Sequence, residues 1–175
     1  TGGRVTASTA RAARSSDTTE LRHLHRGDGA ALHALVRDGG GLDLNSPYAY
    51  VLGERMFAAT SVAAATADGL DGFVYGIAPA NEPTTLFVWQ VGVAPHARGR
   101  GLGLTMLRWL VDAVGPTHVE ATVTPSNTAS RRLFAALARD LATELVVSRW
   151  VEPEELGDPG HEPEDLHRIG PIPPR

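Results

Sequence analysis

The residues of this chain best suited to chemistry are Arg98-Gly99-Arg100-Gly101-Leu102-Gly103, where three glycines alternate with bulkier side chains. They follow TTLFVWQVGV (84–93), the segment richest in aromatic and branched residues, and precede the apolar helical pattern LTMLRWLVDAV (104–114). Glycine weakens local order, so three of them at the mouth of a helix point to a backbone that must come close to a ligand. A dinucleotide fingerprint, G-x-G-x-x-G, would need its third glycine where Leu104 stands. A phosphate loop would need a lysine, and all 16 basic residues are arginine. The pattern Gln/Arg-x-x-Gly-x-Gly/Ala between a strand and a helix is met at every fixed position, by Arg98, Gly101 and Gly103. Such a turn aims successive N–H groups at one anion, and the helix start adds its positive dipole end. Hydrogen bonds to charged groups contribute about 1.5–3 kcal/mol each, so a few amides can hold a diphosphate without lysine, with Arg98 and Arg100 adding charge at the rim. The competing reading is a tight turn with no ligand.

The elements that must position this turn are legible in outline. ELRHLHRGD (20–28) predicts a strand and a turn, and DGAALHALVRDGG predicts a helix with Asp28 as N-cap. Ser46 caps a second helix that starts at Pro47 and runs to about Ala58. TSVAAATAD and GLDGFVYGIAP predict a hairpin. After the glycine turn, the helix stops at Gly115-Pro116, HVEATVTP alternates as a strand, a helix capped by Ser126 or Asn127 follows, and TELVVSRW closes the series. The order β-α-α-β-β-β-α-β-α-β predicts an α+β, or mixed α/β, layered fold.

Composition sets the limits. A chain of 175 residues suits one domain with a full core. Residues 1–18 predict a disordered tail, free of acid up to residue 16 and only faintly like a transit peptide; 19–150 predict the folded domain. Residues 151–175 form an acidic, Pro/Gly-rich segment packing on or near it, with seven carboxylates and no arginine between Glu152 and Asp165. The net charge of −4 gives no basic field for nucleic acid, and no apolar run predicts a membrane span, so the expected location is the cytoplasm. Without cysteine there is no disulfide, thiolate metal site or cysteine nucleophile. His23, His25, His33, His96 and His118 make no metal spacing, and no metal is expected.

The glycine turn, with the strand before it and the helix after it, resembles the acyl-CoA-binding motif of the GNAT superfamily of N-acetyltransferases. LDLNSPYAY, TLFVWQVGV, VEATVTPSNTASRRLF and HEPEDLHRIGP narrow the resemblance, over about residues 25–172, to the members that acetylate L-2,4-diaminobutyrate in ectoine biosynthesis. The resemblance implies a mixed sheet of six or seven strands with splayed central strands, flanked by about four helices. It also implies acetyl-CoA as cosubstrate, a small diamino acid as acceptor and a homodimer. The pantetheine arm would run along the fourth strand near Val91 and Val93, the diphosphate would sit on Gly99, Gly101 and Gly103, and Asn127 would face the cofactor.

The same resemblance carries the acceptor residues. Glu120 is the candidate proton acceptor or ammonium partner; by strand alternation it is equally a surface carboxylate. Asp43 and Asn45 would hold an ammonium, Tyr48 would donate to the substrate carboxylate or to the sulfur, and Trp89 would wall the pocket. His161 in the tail is carried into the site ahead of His167, and the acidic tail could concentrate a cationic substrate. Phe134 stands where many superfamily members carry an acidic tyrosine, and a phenyl ring has no proton to give. Two rivals stay open: an acetyltransferase for another small amine or a protein N-terminus, and a non-catalytic acyl-CoA sensor.

Overall fold

The computed structural model describes residues 19–173, so the expected N-terminal tail lies outside the described residues. The strands are β1 (Glu20–His23), β2 (Val62–Thr66), β3 (Gly69–Ile77), β4 (Thr85–Val93), β5 (His118–Val123), β6 (Leu145–Val151) and β7 (Glu164–Ile169). The helices are α1 (Asp28–Gly39), α2 (Pro47–Met56), α3 (Leu102–Val114) and α4 (Thr128–Asp140). One seven-stranded sheet runs β1-β2-β3-β4-β5-β7-β6. Every neighbouring pair is antiparallel except β4 and β5, which are parallel.

Alternation along the strands divides the core in two. Val62, Ala64, Val74 and Leu86 pack with Met106, Leu107 and Leu110 of α3 and Phe134 and Leu137 of α4. Ala63, Phe73 and Tyr75 point the other way, against Leu32 and Val36 of α1 and Tyr50 of α2. The sheet is thus sandwiched between two helix pairs, the arrangement expected from the sequence with one strand added.

That strand is β7. It inserts between β5 and β6, inside the stretch read as an acidic tail. Its buried side chains are His167 and Ile169. With a histidine at one of only two inward positions, the apolar alternation that marks a strand is broken.

The start of α1 also differs from expectation. Gly27, in the left-handed region with φ 103°, occupies the N-cap position, and no side chain caps from there. Asp28 instead turns back to the Arg22 guanidinium at 2.7 and 2.9 Å and accepts the His25 amide at 2.9 Å. The first-turn amides are taken by buried Glu54 of α2, whose Oε2 accepts from Gly27 N at 2.9 Å and Gly29 N at 2.7 Å. Burial alone would raise the Glu54 pKa; the amides and Arg55 outweigh it and hold it below the usual carboxylate range. This carboxylate locks the start of α1 to the last turn of α2, at the end of the helix pair away from the loop that joins them.

Candidate active site

The site begins where two parallel strands part. β4 and β5 pair only at Thr85 with His118, Leu86 with Val119 and Phe87 with Glu120. From Val88 onward β4 has no partner on that side, and the gap is a cavity of about 920 Å³ walled by Val88–Val91 and Ala121–Thr124. On its other edge β4 carries a bulge against β3: Tyr75 faces Gln90 while Gly76 faces Val88, which leaves Trp89 as the extra residue. The bulge places Trp89 on the cavity wall, 5.0 Å from the Tyr75 ring between centroids.

A second cavity of about 340 Å³ shares Gly41, Leu42, Val91, Asn127 and Ser130 with the first, and a third of about 220 Å³ shares Val93, Arg98, Gly103 and Leu133 with the second. Together they form one groove along β4 that ends at the glycine turn. There Gly99 (φ 74°) and Gly101 (φ 77°) are both left-handed, a conformation that side chains with a Cβ resist. Gly101 is the N-cap of α3, and no side chain caps that helix. Its first-turn amides are therefore available to an anion. Gly103 lies in the helix with ordinary backbone. An added Cβ there would make only normal contact with Leu133, at 3.5 Å. Its lack of a side chain serves the groove, not the fold. The residues present fit a coenzyme A diphosphate.

Val91, Val93, Arg98, Gly99, Gly101, Gly103 and Asn127 all line the groove, while Arg100 is exposed and lines none of it. Arg98 is not a loose charge at the rim. Its Nε donates to the Val93 carbonyl at 3.0 Å and its terminal nitrogen to the Gly39 carbonyl at 2.7 Å. Asn127 is held as the N-cap of α4, accepting from Ser130 N at 3.0 Å.

The wide end of the groove is built from side chains of four separate segments. Asp43 and Asn45 come from the loop between α1 and α2, Trp89 and Gln90 from β4, Thr122 from β5, and His161, Glu162 and Glu164 from the approach to β7 and its first residue. The acidic segment is fastened here: Glu162 Oε2 accepts from Ser126 N at 3.0 Å. Burial raises Glu164 above the ordinary glutamate pKa, with the negative charges of Asp43 and Asp165 adding to it; His161 and the Thr122 hydroxyl pull the other way. His161 is raised above the usual imidazole value, first by its hydrogen bond to the Glu162 carbonyl and then by the field of Glu164, Asp158 and Asp43 against the opposing effect of burial. The cavity thus offers a carboxylate with enhanced affinity for a proton, beside an imidazole biased toward its cation.

Two expected residues are elsewhere. Tyr48 is 68% exposed at the start of α2 and does not line the cavity. Glu120 lies one pleat before Thr122, outside the cavity lining, and its carboxylate is paired with Arg168 of β7. β7 was hidden in the sequence, and so was the arginine that faces Glu120 across it. Glu164 and Gln90 were missed for a related reason: one read as part of a solvated acidic run, the other as an ordinary strand residue. The cavity wall includes Phe134 and no tyrosine.

Residues 44–138 match the model of the acetyltransferase (GNAT) family. The chain is 42% identical over 150 residues to an L-2,4-diaminobutyric acid acetyltransferase of Virgibacillus pantothenticus, covering 84% of this chain and 94% of that one. It is 44% identical over 150 residues to a protein of the same name from Streptomyces coelicolor, covering 83% and 88%. Among solved structures, diaminobutyrate acetyltransferase from Paenibacillus lautus, in complex with L-2,4-diaminobutyric acid and coenzyme A, superposes with a TM-score of 0.84 at 37% identity, covering 91% of this chain and 98% of that one.

Proposed function

This chain belongs to the acetyltransferase (GNAT) family, and from that premise we propose that it moves the acetyl group of acetyl-CoA onto the 4-amino group of L-2,4-diaminobutyrate. The observation that carries the reading is the composition of the cavity at the end of the cofactor groove. Three carboxylates, Asp43, Glu162 and Glu164, stand with one imidazole, His161, around a single space; Glu162 is already engaged by the Ser126 amide, which leaves two carboxylates and the imidazole for a ligand. A diamino acid carries two ammonium groups and one carboxylate, the complementary set. The names of the two relatives and of the Paenibacillus structure support the same acceptor.

The chemistry asks the protein for one proton acceptor. An alkyl ammonium has a pKa near 10.4, so freeing its lone pair at neutral pH costs roughly 4 kcal/mol. Glu164, raised by burial and facing the cavity, takes that proton. Asp43 and Asn45 hold the second ammonium, and the His161 cation faces the substrate carboxylate. The neutral nitrogen attacks the thioester carbonyl, a C–N bond forms, the C–S bond breaks and coenzyme A departs as thiolate, while the nitrogen, now cationic, sheds its second proton to become the amide N–H. With Phe134 on the wall and Tyr48 turned to solvent, that second proton reaches the thiolate through water entering the open mouth, giving the free thiol. The unpaired side of β4 from Val88 to Val93 offers backbone groups to the pantetheine arm, and the uncapped α3 start with Gly99 and Gly101 holds the diphosphate.

The reading extends to a cytoplasmic homodimer working toward ectoine and so toward osmoprotection. Light scattering on the purified chain tests the dimer. The function itself is tested by an amine panel with acetyl-CoA, scored by thiol release and by NMR of the product. L-2,4-diaminobutyrate should give the 4-acetyl isomer, and 1,3-diaminopropane, which lacks the carboxylate, should react poorly. Equal use of both amines would favour a polyamine-type acceptor. Coenzyme A binding without turnover on any amine would leave a sensor.

A further inference from the structure

An acyl group carried on an arm from the glycine turn must cross from the second cavity into the first to meet the amine. The thioester joins that arm to the acetyl group, so the bond that breaks belongs at the junction of the two cavities. Five residues line both: Gly41, Leu42, Val91, Asn127 and Ser130. Gly41, Leu42 and Val91 bring no polar side chain. The Asn127 carboxamide is held by its work as the N-cap of α4, where Oδ1 accepts from Ser130 N at 3.0 Å. Ser130 is fixed through that amide, and its hydroxyl is left to the groove, with no hydrogen bond of its own among the described residues. Ser130 and Phe134 are four residues apart and share one face of α4. Phe134, buried, lines the first cavity alone, so it lays an apolar ring on the acceptor side of the junction. Ser130 also stands in the first turn of this 13-residue helix, whose positive dipole end favours an anion nearby.

We propose that Ser130 is a catalytic residue: its hydroxyl donates a hydrogen bond to the departing sulfur of coenzyme A, a task that the Phe134 ring cannot perform. When the C–S bond breaks, its electron pair stays on sulfur and negative charge develops there. The Ser130 O–H holds that charge until the proton shed by the new amide nitrogen arrives through water. Ser130 keeps its own proton throughout, so no alkoxide forms and the serine needs no base. A sulfur bonded to two carbons is a weak acceptor and a thiolate a strong one. The contact therefore strengthens as the charge appears, which speeds the chemical step and leaves ground-state binding nearly unchanged. The inference rests on the acetyltransferase reading but not on which amine is the acceptor.

Free coenzyme A tests the contact without amine or turnover. A donor on the sulfur favours thiolate over thiol and so lowers the thiol pKa of the bound molecule. The chain has no cysteine, so a thiolate signal belongs to coenzyme A alone. Titration of the thiolate's ultraviolet absorbance on the saturated whole chain, read as a difference from the coenzyme A-free chain, should give a bound-thiol pKa about one unit lower in wild type than in Ser130→Ala, a tenfold difference in favour of thiolate. Ser130→Thr keeps the hydroxyl and should restore most of that shift. With acetyl-CoA and L-2,4-diaminobutyrate, single-turnover thiol release should slow by about tenfold or more in Ser130→Ala, the usual size of a hydrogen bond to a charged group. Its acetyl-CoA affinity by calorimetry should stay within about twofold of wild type. Equal bound-thiol pKa values in wild type and Ser130→Ala would overturn the proposal, even if turnover slowed, because a merely structural serine would leave the sulfur untouched. An undiminished single-turnover rate in Ser130→Ala would overturn it as well. Failure of coenzyme A to bind wild type would remove this proposal and the acetyltransferase reading together. The expected difference in thiol pKa, with no reaction of diaminobutyrate, would overturn the acceptor assignment and support the contact at sulfur.

Discussion

The two ends of the groove recognise their ligands by different means. At the narrow end, backbone does the work: Gly99 and Gly101 in left-handed conformations, an uncapped helix start, and Gly103 clearing the approach. All of it comes from six consecutive residues. At the wide end, side chains do the work, and they come from the α1–α2 loop, β4, β5 and the approach to β7, positions up to about 120 residues apart in the chain. A backbone anion site is a local object. A charged pocket exists only once the sheet order β4-β5-β7-β6 has been set. Each variant below tests whether that division is real, beginning with the largest expected effect.

Glu164→Gln should remove the proton acceptor while keeping size and polarity. Turnover should fall by about 10²-fold or more, the usual cost of losing a general base, with coenzyme A affinity unchanged by calorimetry. The pH profile supplies a second readout. The working form of Glu164 is the carboxylate, so wild-type kcat/KM should fall as pH drops through its raised pKa, and that limb should lie above the ordinary glutamate range. In the glutamine variant the limb should vanish. Stability carries the opposite sign. A carboxyl with a raised folded pKa favours the fold below its unfolded value and loses that contribution as pH rises through the folded one. Glu164→Gln should therefore melt at or slightly above wild type at neutral pH. Near-normal turnover in this variant would return the base to another residue.

Gly103→Val probes the narrow end without straining the fold, because the position has ordinary backbone and room for a Cβ. The branched side chain projects into the groove, and overpacking of this kind costs about 1–3 kcal/mol, or roughly five- to 150-fold in coenzyme A affinity. The melting temperature should move little. Gly101→Val is the less clean variant: at φ 77° the valine also costs about 1–2 kcal/mol of backbone strain, so lost affinity and lost stability arrive together. Unchanged cofactor affinity in Gly103→Val would mean that the turn is only a turn.

What could be read beforehand follows the same division. The strand–turn–helix order, the Ser46 and Asn127 caps and the hairpin were legible because each is set by neighbours in sequence. Asp28 misled because a capping residue type sat one place inside the helix, where a partner from α2 took the amides instead. β7 was concealed by its buried histidine and by flanking acid. The concealment spread, since an unseen strand hides every residue that it brings to the site. Glu164 entered through it, and so did the Arg168 that faces Glu120.

Asp43→Ala tests selectivity at the wide end. Asp43 is exposed, so the lost ammonium contact should cost only about 1 kcal/mol, seen as a rise of a few-fold in KM for L-2,4-diaminobutyrate. The sharper readout is the product ratio. The α-amine is the weaker base and more of it is free at neutral pH, so unguided acetylation leans toward the α position. Alignment of one nitrogen with the thioester is worth several kcal/mol and can reverse that bias. NMR of the products should show α-acetyl isomer appearing in the variant. A wild type that already gives mainly the α isomer would remove both this pocket assignment and the 4-amino product.

The smallest effect is expected at Glu120, and its smallness is what makes it informative. Judged from sequence alone, a carboxylate in mid-strand on β5 is a reasonable base. In the fold it sits in a pair with Arg168, its side chain 14% exposed and the arginine's 36%, outside the cavity lining. Glu120→Gln leaves an amide oxygen that still accepts from the guanidinium. Arg168 also keeps a second partner, Glu82, at 3.2 Å. No buried charge is left alone, so the stability loss should stay near or below about 1 kcal/mol. Turnover at neutral pH should stay within about twofold, since a general-base loss would be about 10²-fold or more. The comparison with Glu164→Gln is therefore the decisive one, made on the same day with the same amine. If Glu120→Gln loses a hundredfold with coenzyme A binding intact while Glu164→Gln does not, the proton acceptor lies on the strand that was legible, and the cluster brought together by β7 only holds the substrate's charges.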